Sequence, residues 1–591
     1  MSPSILQGPS DQTVTVGQSA TFTSTASGQA PLTYQWMRNG SPIPKATAAS
    51  YTTPATALAD NASQFQVAVT NSIGEATSAN AVLSVHSPPD VTTFHNDNLR
   101  TGQNLSETYL TLQNVNASRF GKIGFLTVDG KVDAQPLFLG DVPIPGQGTH
   151  NVLYVATEHD GVFAFDADTQ ALLWQVSVLG AGEATGDDLQ CDSVKPEIGI
   201  TSTPVIDRTR GPNGLIYLVA ATEDSAGNTL FRMHALDVTT GAEMLGGPVE
   251  IQAQYPSLGG TATFAAPQYL NRAALLLENG VVYTSWASHC DIEPYGGWVI
   301  GYDATTLKQT SALDLTANGR WGGIWMAGDG PAADDAGNIY LLDGNGTFDD
   351  TLDASGFPSQ GDFGNAVVKI SPSGSLKVTD YFAPHDTVAQ SAGDYDLGSG
   401  GILLLPDNVD DTGKTWHLAL GSGKTGSIYI VDRDDMGKYN SSSDTAREVI
   451  PLCCPPTGGL YGPIFSTPAY FNSTVYFGAI TAPIQAYAVS NGKLSTSYTM
   501  ISSVHFNSFP GTTPAISANG IDSAILWAVE NGTTAVLHAF DANNLSAELY
   551  NSNLMSARDQ FAGNKFIVPT IANGKVYVGT PTGVAVFGLL P

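Results

Sequence analysis

Glu197, Asp396 and His289 are the residues of this 591-residue chain whose types and neighbours suit proton transfer. Two carboxylates facing one another across a glycosidic bond can act as acid and base, and their separation sets the stereochemical outcome. Around them the chain supplies His159, Asp160, Asp291, Asp329 and Asn345, the cations Arg320, Lys424 and Arg558, and the aromatics Trp321, Trp325 and Tyr461. Such a set suits carbohydrate: carboxylates and amides accept from hydroxyls, and Trp or Tyr faces stack on the apolar side of a sugar ring. A structural reading competes with it, because Asp and Asn at hairpin tips bond their own backbone. No Ser-His-Asp order, phosphate loop or metal-binding His pair is visible, so no residue is assigned to a metal. Calcium stays open as a cofactor, since DADTQ from Asp166 and DRDDMG from Asp432 carry part of a calcium loop but not its full ligand run.

The elements that must position these residues come from a repeat. NVLYVATEHDGVFAFDADTQALLW, from Asn151 to Trp174, is an apolar run with Tyr, a polar tip with Gly, a second apolar run, then Asp-Ala. The cadence returns from Leu215, Val281, Asn338 with Phe363, Trp416, Thr474, Ile525 and Lys575. Each copy reads as two period-2 strands and a turn. A strand ahead of each copy, usually begun by a Pro as at Pro136, Pro204, Pro331, Pro468, Pro514 and Pro569, and another after it give four strands per unit. The fold class is therefore all-β: an eight-bladed β-propeller of four antiparallel strands per blade. The last copy ends at Pro591 with no room for a fourth strand, so Gly121 to Asp129, GKIGFLTVD, is expected to supply it and close the ring. His95, Asn96, Asp97 and Arg100 are expected to knot the preceding segment onto the ring. In an antiparallel meander the hairpin between the second and third strands shares a face with the lead-in to the next unit. That rule gathers nearly all the residues named above onto one funnel.

Composition limits the partners. Lys+Arg 24 against Asp+Glu 54 gives a formal charge of -30, which repels phosphate backbones and anionic lipid, so nucleic acid is excluded as a partner. The same charge favours a neutral or cationic saccharide over a polyanion, although Arg320, Lys424 and Arg558 in one mouth can reverse the field locally and hold a carboxylated sugar. No apolar run reaches membrane-spanning length. The start MSPSILQGPS reads as a mature start with an added Met, and a secreted or cell-surface location is expected. Cys191 and Cys290 fall on one face in adjacent units and are expected to pair; the adjacent Cys453 and Cys454 either form a vicinal ring or stay as thiols.

Residues 1–86 form a separate module with alternating strands, followed by a Pro-rich linker at 87–91 and the propeller at 92–591. The module resembles bacterial immunoglobulin-like domains: Trp36 in YQWMRNG takes the core tryptophan place and FQVAVTN a facing strand, without the usual cysteine pair. The turns FDADTQALLW, ALDVTTGAEM, YDATTL and FDANNL resemble the repeats of the quinoprotein alcohol dehydrogenase superfamily. That resemblance implies an eight-bladed propeller and, for family enzymes, pyrroloquinoline quinone between a tryptophan and a vicinal disulfide, with calcium held by acidic and amide side chains. CCPPTGGLYGPIF sits later in the propeller than the family's cysteine pair, and no cofactor ligand is carried over. Three readings remain: a carbohydrate-acting funnel, a non-catalytic ligand-binding scaffold, and a quinone- and calcium-dependent dehydrogenase.

Overall fold

The computed structural model describes residues 1–187, 194–452 and 458–591. The expected Cys191–Cys290 bridge and the Cys453–Cys454 pair lie outside the described residues. The chain divides into two compact units, Met1–Pro89 and Asp90–Pro591. In the first, strands Thr33–Arg38, Ser63–Thr70 and Ala81–His86 pair antiparallel, and Gln12–Thr15 joins Ala81–His86 in parallel. Trp36 is buried at its centre, with its indole N–H donating to the Ala48 carbonyl, and Phe22 stacks on Phe65.

The second unit is a β-propeller built from successive sheets of four to six strands, almost wholly antiparallel. The first runs through Leu137–Ile144, Gly148–Ala156, Gly161–Asp166 and Leu172–Ser177. Later sheets repeat that order, for example Leu276–Glu278, Val281–Ser285, Trp298–Asp303 and Gln309–Asp314. The last comprises Thr570–Ala572, Lys575–Thr580 and Gly583–Leu589, and takes its outer strand, Phe120–Thr127, from the N-terminal side. Phe120 pairs with Leu589 and Thr127 with Gly583, so the segment expected to close the array does so.

The repeated residues explain the repeat. The Asp of each Asp-Ala turn folds back on itself: Asp166 accepts from the backbone N–H of Asp168 and Thr169, and Asp303 from that of Thr305. The next residue's carbonyl then receives a tyrosine hydroxyl from the neighbouring sheet. Tyr154 donates to Val238, Tyr217 to Ala304, Tyr476 to Ala542, and Tyr577 of the last sheet to Ala167 of the first. Tyr and Asp-Ala recur together because they are two halves of one inter-sheet bond, satisfied in a buried site where an unpaired hydroxyl would be costly.

A belt of chain from Val91 to Asn104 holds the inner strands. Val91 pairs with Phe138 of the first sheet, and the Thr92 carbonyl accepts from Ile206 of the second. Asn98 reaches Leu277 and Ala333, Leu99 Leu404, Thr101 Tyr470, Gly102 Ile516, and Asn104 Ile571, so contacts advance round the sheets in chain order. His95 and Arg100 make the knot expected of them. His95 bonds the carbonyls of Arg100 and Pro514, while the wholly buried Arg100 donates to Thr93, Phe94, Leu275 and Pro331 and lies 3.8 Å from Asp329. Among the described residues no helix is long and apolar enough to cross a membrane.

Candidate functional site

Lead-ins to the innermost strands converge on a cavity of about 360 Å³. Its cations are Lys131, Arg272, Lys424 and Lys565; its carboxylates are Asp133 and Asp396; Trp325, Phe465, Phe509 and Phe566 give it ring surfaces. Edge-to-face contacts order the phenylalanines, with centroids 5.0 Å apart for Phe465 and Phe509 and 5.4 Å for Phe509 and Phe566. Arg272 lies over the Phe566 ring, 5.0 Å from its centroid. It is 7% exposed and hydrogen-bonds no described residue. Burial lowers its pKa against the opposing pull of Asp133 and Glu158. A buried guanidinium with free donors, facing a cavity, is an anion site in the making.

Through Trp325, Asp396 and Lys424 this core adjoins a second cavity of about 460 Å³ at the rim, lined also by Asp291, Glu293, Tyr295, Trp321, Asn345 and Asp394. Here acids dominate. Lys424 sits 2.5 Å from Asp396 and 2.7 Å from Asp394, and Asn345 donates to Asp394 at 2.6 Å. Burial pushes Asp396 above the usual carboxylate range, with Lys424 offsetting part of the shift. The Trp321 indole donates to Glu293, Tyr295 donates to Asp291 at 3.1 Å, and the Arg320 guanidinium covers the Trp321 ring at 4.3 Å.

Of the residues picked from sequence, Asp291, Trp321, Trp325, Asn345, Asp396 and Lys424 line these cavities, with Arg320 against Trp321. The others sit elsewhere. Glu197 accepts from His159 at 2.9 Å and from Thr185 at 3.0 Å, a pairing that raises the His159 pKa and lines neither cavity. His289 donates its backbone N–H to Gln268. Tyr461 bonds Tyr498. Asp160 and Asp329 are wholly buried, Asp160 with both carboxylate oxygens unpartnered and Asp329 beside Arg100; neither can touch a ligand as placed. Arg558 is spent on Asp559 and on the Phe120 carbonyl, where it fastens the closing strand.

Sequence reasoning passed over Lys131, Asp133, Arg272, Lys565 and the two inner phenylalanines, Phe465 and Phe566. The lead-in rule that found Trp325 and Asp396 would also have found them at the first, third, sixth and last units. The overall charge of -30 turned attention to acids, whereas the core is locally cationic. Asp133 is bonded to Lys131 at 2.9 Å and to the Asn564 amide at 2.7 Å.

Residues 3–85 match the immunoglobulin I-set domain. Over 57 residues the chain is 47% identical to a decoration protein of Escherichia phage T5, a match that takes in 10% of this chain and about a third (34%) of that relative. In fold, the chain is similar to a quinohemoprotein alcohol dehydrogenase from Comamonas testosteroni, at 14% identity and a TM-score of 0.55, over 85% of this chain and 80% of that one. It is similar to the quinohemoprotein alcohol dehydrogenase ADHIIG from Pseudomonas putida HK5, at 13% identity, a TM-score of 0.55 and the same coverage. A europium-containing methanol dehydrogenase matches at 13% identity and a TM-score of 0.54, over 85% of this chain and 98% of that chain. At these identities the likeness is one of fold.

Proposed function

We propose that the propeller is an eight-bladed ring whose funnel binds an acidic saccharide, one carrying uronic-acid carboxylates, in a secreted or cell-surface setting. Among the described residues, eight successive sheets, five of four strands and three of five or six, with the Phe120–Thr127 strand on the last sheet and the Tyr577 bond back to Ala167, support the ring. The buried, unbonded guanidinium of Arg272 carries the ligand reading. With Lys131, Lys424 and Lys565 it makes the core a seat for carboxylate. The adjoining rim offers Trp321 and Trp325 as stacking faces and Asp291, Glu293 and Asp394 as acceptors for hydroxyls. A ligand with both chemistries spans both cavities.

A second reading draws on the fold shared with the quinohemoprotein dehydrogenases. Pyrroloquinoline quinone is a planar carboxylated anion, and Trp325 with the core cations suits such a ring. Calcium does not fit as well: Asp133 and Asp396 are each held by a lysine, and among the described residues no group of three or more His, Cys, Asp or Glu side chains could hold a metal. No step is derived through that cofactor. Calorimetric titration with oligogalacturonides and with neutral oligosaccharides, beside reconstitution with the quinone and calcium, separates the readings. Uronate-selective binding is expected. Dye-linked alcohol oxidation after reconstitution, without saccharide binding, would replace this reading with the dehydrogenase.

A further inference from the structure

The backbone at Gly328, Asp329 and Gly330 runs from Arg272 of the funnel to Arg100 of the belt. A Cβ on Gly328 would stand 2.7 Å from Nη1 of Arg272 and 3.0 Å from its Cζ and Nη2, and one on Gly330 would stand 2.6 Å from Nη2 of Arg100. Asp329 is fixed between them. Its carboxylate accepts from the Gly330 and Ile402 N–H groups, both at 2.9 Å, and lies 3.8 Å from the Arg100 guanidinium. Its carbonyl accepts from the Ala274 N–H at 3.2 Å, which ties it to the stretch that carries Arg272.

Ahead of this anchor the chain turns by a costly route. Met326, Ala327 and Gly328 follow one another at φ of 46°, 58° and 89°, after a Trp325 with an ordinary φ of −80°. Side-chain-bearing residues rarely adopt the left-handed region and persist there only where their surroundings over-determine them. The turn closes through the Gly328 and Asp329 N–H groups, which donate to the Trp325 and Met326 carbonyls at 3.2 and 2.8 Å. Phe566, likewise at a φ of 61°, puts its ring against the Arg272 guanidinium. Met326, Ala327 and Phe566 thus all belong to the two segments that pack on one head group. Arg272 hydrogen-bonds no described residue, so packing has to fix it, and only glycine at 328 leaves the room. We propose that Gly328 and Phe566 are positioning residues of the anion seat. The turn, pinned at Asp329 by the belt, and the phenyl ring hold the guanidinium with its free donors in the cavity, and this preorganisation sets the funnel's preference for a carboxylate. The inference rests on the reading of the funnel as a seat for acidic saccharide.

Crystal structures of the ligand-free wild type, Gly328→Ala and Phe566→Leu test the placement. The added methyl group is expected to push the guanidinium off the Phe566 ring, and loss of the ring to release it from its fixed place; a guanidinium that stays where it is in both variants overturns the proposal. Calorimetric titration of trigalacturonate and its methyl ester tests the consequence. Gly328→Ala should abolish the about tenfold advantage of the acid over the ester, and Phe566→Leu should reduce it by about threefold, with ester binding unchanged in both. Neither change should weaken binding further when combined with Arg272→Gln, because the group it positions is gone. Equal losses for acid and ester, or losses that add to that of Arg272→Gln, would overturn the positioning role. Phe566→Leu, apolar at the same φ, decides the matter if Gly328→Ala does not fold. If the wild type binds neither saccharide, the saccharide reading fails, and the crystal structures decide by themselves whether the guanidinium is held as proposed.

Discussion

Three arginines are buried among the described residues of this propeller, Arg100, Arg272 and Arg433, and the first two do opposite things. Arg100, in the belt, is 0% exposed and gives its guanidinium to Thr93, Phe94, Leu275 and Pro331 beside Asp329. Arg272, in the funnel wall, is 7% exposed and gives its guanidinium to no described residue, with one phenyl ring beneath it and a cavity in front. Burial lowers the pKa of both, so burial alone does not tell structure from function. Satisfaction does: a guanidinium whose donors are all used holds the protein together, and one whose donors are idle is waiting for an anion.

The contrast breaks first at the belt. Arg100→Met should destabilise the propeller by about 3–5 kcal/mol, because it leaves Asp329 and several carbonyls buried without their donor; chemical denaturation measures it. Arg272→Gln should leave stability unchanged or slightly raised, yet weaken trigalacturonate binding by about tenfold or more, the loss of one charged hydrogen bond of roughly 1.5–3 kcal/mol. If both variants lost stability alike, the distinction between the two arginines would fail.

Trp325→Ala comes next. It removes a ring common to both cavities and should cost at least about 1 kcal/mol of binding for uronate and neutral sugars alike. A selective loss for uronate alone would place Trp325 in the carboxylate seat and not under the sugar ring.

A further prediction concerns pH. Burial, with Glu197 and Asp129 adding to it, pushes Asp160 up to about 9 from 3.8. The folded chain therefore keeps a proton that the unfolded chain releases above about pH 4, so this group's contribution to stability is lost as pH rises toward about 9. Asp160→Asn should flatten that part of the melting-temperature profile, and its positive φ of 56° suits Asn. An unchanged slope would mean that Asp160 is ionised in the folded protein.

The fold was legible where the residues that carry the pattern also carry the contact. Tyr154, Tyr217, Tyr476 and Tyr577 reach the carbonyl after an Asp in the neighbouring sheet, so a motif seen along the chain is also a bond across it. The belt was less so. VTTFHNDNLRTGQN has no period, and its partners lie at Phe138, Ile206, Leu277, Leu404, Tyr470 and Ile571, too scattered to read in one dimension. The site was legible in part. Hairpin tips and lead-ins gave Trp325, Asp396 and Lys424, but Arg272 in YLNRAALLLENG sits among apolar residues and reads as a strand start. Net charge misled here, since it describes the field far from the molecule and says little of a cavity where four cations outnumber two acids.

Trigalacturonate and its methyl ester have the same rings and hydroxyls and differ in charge. Calorimetric titration of both into the wild type and Arg272→Gln isolates the carboxylate seat from the rest of the funnel. The account predicts that the wild type binds the free acid about tenfold or more tightly than the ester, and that the preference disappears in Arg272→Gln while the ester binds both proteins equally. Equal affinity of the wild type for acid and ester would contradict it.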